Sequence, residues 1–85
     1  MAKISYRCRV VKTGAGADGS IAIHIISSDG SNAIPGTWFN PPEPARKEML
    51  AVALVAITSN LEVDAVLDES LKENDPIYNL YLVAR

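Results

Sequence analysis

Between Ile4 and Val10 the chain alternates, with Ile4, Tyr6, Cys8 and Val10 on one face and Lys3, Ser5, Arg7 and Arg9 on the other. That period predicts a half-buried strand with Cys8 turned inward. The stretch Gly14–Gly19 can supply the positive φ angles of a hairpin return. Ile21, Ile23 and Ile25 then alternate with Ala22, His24 and Ile26, predicting a second strand that closes at the turn residues Ser27-Ser28-Asp29-Gly30. Leu61, Val63, Ala65 and Leu67 alternate with Glu62, Asp64, Val66 and Asp68 in a third strand, followed by a polar loop to Pro76. The last strand, from Ile77 to Ala84, is apolar on both faces except for Asn79, which predicts a central strand or one covered by a neighbour.

Prolines at 35, 41, 42 and 44 exclude a helix interior before residue 44, and Pro44 suits a first helical position. From Pro44 to Asn60 the pattern becomes helical, and its middle, Met49 to Ile57, holds nine apolar residues in a row. As a helix this run rises only ~14 Å, too little to cross a ~30 Å hydrocarbon layer. Met49, Leu50, Ala53, Leu54 and Ile57 share the i, i+3, i+4, i+7 face expected to lie on a sheet. The opposite face carries Glu48, Ala51, Val52, Val55 and Ser59, and Asn60 can end the helix in a left-handed conformation. A helix that is apolar all round needs cover on both sides, and a small domain has little interior to spare. The Glu48, Ala51, Val52, Val55, Ser59 stripe is therefore the predicted contact between copies of the chain.

The predicted fold class is α+β: one domain over residues 1–85, in the order strand, strand, helix, strand, strand. The helix packs on a small curved antiparallel sheet or a partly closed OB-like barrel, and Trp38 and Phe39 add a short pairing before it. Composition fits an ordinary globular chain, with 48% hydrophobic and 21% charged residues. The net charge of −2 gives no global attraction to polyanions. Lys3, Arg7, Arg9 and Lys12 nevertheless gather in the first segment. The lone cysteine rules out an intrachain disulfide. Together with an N-terminus lacking a secretory apolar run, it favours a cytoplasmic location, with export open if a leader has been removed.

Candidate chemistry is sparse. Gly14, Gly16 and Gly19 spell G-x-G-x-x-G, but they lead into a strand rather than a helix, so the spacing predicts a hairpin and not a phosphate cradle. One histidine excludes metal sites built on several imidazoles, and Cys8 and His24 point to opposite faces of their strands. No catalytic residue, metal or cofactor is predicted. Glu62, Asp64 and Asp68 read as a solvated strand face paired with Arg7 or Arg9. Trp38, Phe39 and His24 are the candidate ligand-binding residues, because aromatics on a proline-bounded loop can form a rigid platform for a sugar, a base or a protein.

The element order, Asp18-Gly19 in the first hairpin, Trp38 ahead of the proline-containing helix start, Met49-Leu50-Ala51-Val52-Ala53-Leu54 and the closing Tyr78-Asn79-Leu80-Tyr81-Leu82-Val83 resemble a group of small bacterial proteins of unassigned role. That group is in turn similar to the OB-like B subunits of AB5-type toxins of the pertussis and subtilase kind. The resemblance implies a homo-oligomeric ring, five-membered in those toxins, with the helix at its centre and glycans bound on the barrel surface. It carries no sugar-binding residue to a particular position here. The expected function is thus a non-enzymatic oligomeric binding or assembly module, with a carbohydrate or a protein as partner. The alternatives are a glycan-binding subunit of a toxin-like complex, a small hydrolase or transferase using His24 with Asp29 or Glu62, and a nucleic-acid-binding protein using Lys3, Arg7, Arg9 and Lys12. Net charge and the lack of aromatic–basic interleaving in the sequence weigh against the last.

Overall fold

The computed structural model describes residues 2–84. β1 (Lys3–Ala15) and β2 (Ile21–Ser27) form a hairpin, followed by the short β3 (Thr37–Phe39). A 3₁₀ turn at Glu43–Ala45 leads into α1 (Arg46–Thr58), and β4 (Glu62–Asp68) and β5 (Ile77–Leu82) complete the chain. The class is α+β: a five-stranded antiparallel sheet of order β3-β2-β1-β4-β5 with the helix on one face. The sheet is not closed into a barrel. Its two ends meet through an isolated parallel bridge between Asn40 and Pro76, where the Asn40 N–H donates to Asp75 O and the Ile77 N–H donates to Asn40 O.

β1 is long enough to serve two partners in succession: Lys3 to Arg9 pair with β4, and Cys8 to Ala15 pair with β2. Its inward face carries Cys8, fully buried, flanked by the half-buried Tyr6 and Val10. Ile23 and Ile25 of β2, Phe39 of β3, Val63, Ala65 and Leu67 of β4, and Ile77 of β5 are all 0% exposed and join one apolar cluster. Two extra residues break the alternation. Between Val10 and Lys12 the β1–β2 register shifts, so Val11 is the added residue of a bulge and Lys12 stands opposite His24. Between Val66 and Leu67 the β4–β5 register shifts likewise around Tyr78, so Ile77 and Leu80, three apart, both turn inward.

The helix differs from expectation in its rotation. Met49, Ala53 and Ala56 face the core, with Leu50 and Val52 partly buried against it, whereas Leu54 (48%), Val55 (43%) and Ile57 (38%) are exposed. A helix apolar on every side has no periodic signal that fixes its phase, and the small Ala53 and Ala56 allow the closest approach to a curved sheet. Pro44 lies in the 3₁₀ turn rather than in α1 itself. At the other end Asn60 adopts φ 53°, the Asn60 N–H donates to Ile57 O and the Leu61 N–H to Ala56 O, which is a Schellman close.

β5 is an edge strand, not a central one, and its Tyr81 and Leu82 are 55% and 41% exposed. The first hairpin is tighter than the glycines implied, since Gly14 and Ala15 remain in β1. The turn is closed by the Gly16 N–H donating to Ser20 O and by Asp18 Oδ1 accepting from both the N–H and the Oγ of Ser20. Those hydrogen bonds hold the Asp18 carboxyl below its ordinary range. Arg46 Nη1 donates to Gly19 O, which ties this turn to the start of the helix.

Candidate functional site

The outer face of the sheet, away from α1, is assembled row by row from the strand registers. On β2, Ile23 and Ile25 are taken into the core, so His24 between them turns outward. On β3, Thr37 and Phe39 are buried while Trp38, directly opposite His24, also faces out. The His24 and Trp38 rings meet edge to face, with centroids 4.9 Å apart and planes at 74°. Gly36, at φ 123°, makes room for this packing, because a Cβ there would lie 3.2 Å from His24 Cε1. His24 Nδ1 is buried and has no hydrogen-bond partner among the described residues.

The bulge at Val11 brings Lys12 into the same row. Strict alternation would put Lys12 with the inward set of Ile4, Tyr6, Cys8 and Val10, but the extra residue turns it outward, with its Nζ 5.6 Å from the centroid of the Trp38 ring. Beside this row a groove of about 340 Å³ runs between Trp38 and the hairpin, lined by Lys12, Thr13, Gly14, Gly16, Ser20 and Ala22 among others. Its wall is mostly glycine, alanine and hydroxyl groups with one cation and one indole, a surface suited to stacking a ring rather than to moving a proton.

The other half of the outer face is polar. Arg7 Nε donates to Asp64 Oδ1 at 2.6 Å, and Arg7 also lies 3.9 Å from Glu62, so its guanidinium is held protonated chiefly by Asp64. Glu62 Oε2 accepts from Ser28 Oγ at 2.6 Å, and Arg9 Nη1 donates to Asn60 Oδ1. Tyr81 stands opposite Asp64 in the next strand, and Lys3 Nζ lies 4.5 Å from the Tyr78 ring centroid. Asp68 departs from the solvated acidic face expected of β4. It is 6% exposed, and its Oδ1 accepts the Ser70 N–H that turns the chain after the strand.

Of the residues singled out from sequence as ligand contacts, His24 and Trp38 come together, but Phe39 is withdrawn from any ligand. It is 0% exposed because its neighbour on a strand must face the other way, here into the core. Lys12 was missed as part of this group, because the bulge at Val11 exists only in the pairing with β2 and leaves no local signal in the sequence. Of the helix stripe, Glu48, Ala51, Val55 and Ser59 lie outside, while Val52 is half-buried against the core. Among the described residues His24 is not joined to a carboxylate: Asp29 Oδ1 accepts from the Ser31 N–H, and Glu62 is engaged by Ser28 and Arg7. Cys8 is sealed inside, its Sγ donating to Tyr6 O at 3.6 Å, and burial first, then the charges of Asp29 and Asp64, push its thiol up to about 12. Among the described residues no three histidine, cysteine or acidic side chains converge on a metal position, and no helix is long and apolar enough to cross a membrane.

No protein-family model matches this chain, and neither a curated protein nor a solved structure is significantly similar to it.

Proposed function

We propose that this protein is a non-enzymatic binding module that assembles with copies of itself through the outer side of α1, in the manner of an OB-like ring subunit. The observation that carries this reading is the exposure of Leu54, Val55 and Ile57 at 38–48% on a helix whose other side already fills the core. Covering them would contribute roughly 0.7–1.5 kcal/mol each, since about half of each side chain is still in water. Counted over two copies, that sum reaches only the lower part of the ~4–15 kcal/mol that association costs in lost freedom, so a second contact would strengthen the assembly. Leu82 supplies a candidate: it stands opposite Val63 on the helix side of the edge strand β5 and is 41% exposed. An edge of sequence Ile-Tyr-Asn-Leu-Tyr-Leu carries neither charge nor proline to deter a neighbouring chain. The strand order and the Asn40–Pro76 bridge support the OB-like comparison, and the resemblance to toxin B subunits supports a ring.

The test is the mass in solution of Leu54→Glu/Val55→Glu against that of the wild type, by light scattering. Both side chains are exposed, so the double variant keeps the wild-type circular dichroism while its mass falls to that of one 9.1 kDa chain. An unchanged oligomeric mass in the double variant would place the interface elsewhere.

A further inference from the structure

The outer sheet face collects cations and aromatic rings that are far apart in sequence: the cations stand along β1, with Trp38 of β3 to one side and Tyr78 and Tyr81 of β5 to the other. Lys3 sits by Tyr78, Arg7 shares a row with Tyr81 through Asp64, Arg9 follows, and Lys12 sits by Trp38. From Lys3 to Lys12 β1 runs roughly 30 Å. Tyr81 is 55% and Tyr78 36% exposed. Of the carboxylates of this face, Asp64 and Glu62 share Arg7, at 2.6 and 3.9 Å, and Asp68 is buried with its Oδ1 on the Ser70 N–H. Among the described residues Lys3, Arg9 and Lys12 form no ion pair. A general polyanion would need the cations but not the rings, and a neutral sugar the rings but not the cations. Flat rings beside a line of cations match the base and phosphate of a single strand.

We propose that this face binds a short single-stranded nucleic acid laid along β1, with bases stacked on Trp38, Tyr81 and Tyr78 and phosphates at Lys12, Arg9 and Lys3. This goes beyond the assembly reading and does not depend on it. Three phosphate contacts set a salt slope near −2, so affinity falls roughly 20-fold between about 50 and about 200 mM salt.

The experiment is fluorescence anisotropy of a labelled thymidine dodecamer titrated with the wild type and with exposed-site variants. The proposal expects saturable binding, weakened about fivefold or more by Tyr81→Ala and retained by Tyr81→Phe, because the ring and not the hydroxyl does the stacking. Lys12→Ala should lower the salt slope by about 0.7. Leu54→Glu/Val55→Glu should still bind, which separates this site from the oligomer interface. The proposal is overturned by no saturable binding up to about 100 µM at low salt. Wild-type affinity in Tyr81→Ala, heparin competing as well as the oligonucleotide, or Trp38 fluorescence that responds to a neutral oligosaccharide and not to the oligonucleotide would each overturn it too.

Discussion

The outer side of α1 and the outer face of the sheet both expose large apolar side chains, and they differ in what surrounds them. On the outer side of α1, Leu54, Val55 and Ile57 are joined by Ala51 and Thr58, and no charge interrupts them from Met49 to Ser59. On the outer face of the sheet every large ring has a polar or cationic neighbour: Trp38 has His24 and Lys12, Tyr78 has Lys3, and Tyr81 stands opposite Asp64. The first surface gains only from being covered by something equally dry, which favours another packed subunit. The second keeps its polar groups hydrated, and it offers rings to a ligand that brings its own charge. Exposed hydrophobic surface is thus not one property, because the neighbours decide what kind of partner it fits.

The largest expected effect comes from separating the two sides of β3. Phe39→Ala empties a fully buried site and should cost about 3–5 kcal/mol in chemical denaturation, whereas Trp38→Ala, half-buried on the outer face, should cost less than half as much. Equal losses would mean that Trp38 belongs to the core and not to a surface platform. Next in size is an alkaline effect at Cys8. Its folded thiol stays neutral up to about 12 while the unfolded thiol ionises near its ordinary 9.0. The stabilisation is therefore complete below pH 9 and declines as pH rises through the interval from about 9 to 12. A Cys8→Ala protein should lack that part of the decline, and Cys8 in the native protein should react with a thiol reagent only as fast as the protein opens. If the native thiol reacts as fast as a free one at neutral pH, the inward face of β1 has been misassigned.

A smaller effect tests the end of the helix that supports the dry surface. Asn60 holds φ 53° and accepts from Arg9 through its Oδ1, so Asn60→Gly, which keeps the backbone but loses that bond, should cost less than Asn60→Val, which should cost on the order of 1 kcal/mol or more. The smallest belongs to the polar half of the sheet. Arg7 and Asp64 are both partly exposed, so removing the pair by Arg7→Ala should be the least costly of these changes despite its 2.6 Å contact, and its cost should shrink further in high salt.

The parts of this fold that the sequence made legible are those governed by one local period. β1, β2 and β4 follow from alternation, the turn at Asp18-Gly19 and the left-handed Asn60 from residue chemistry, and the inward Cys8 from both. The misjudged features are those fixed by contacts across the sheet. The rotation of α1 depends on how closely Ala53 and Ala56 approach the strands, and no helical wheel encodes that for a segment apolar all round. The bulges at Val11 and Tyr78 exist only relative to β2 and β4, yet they decide that Lys12 joins Trp38 and that Ile77 and Leu80 share a side. The sequence lacks aromatic–basic interleaving because Trp38, Tyr78 and Tyr81 reach the cations of β1 from other strands.

The account turns on whether the outer side of α1 is covered in solution. Multi-angle light scattering of the wild-type chain across about 1–100 µM measures that directly, since assembly is concentration-dependent. The account predicts a mass of at least twice 9.1 kDa at the upper end of that range, returning to a single chain in Leu54→Glu/Val55→Glu. A wild-type mass of 9.1 kDa throughout that range would contradict it.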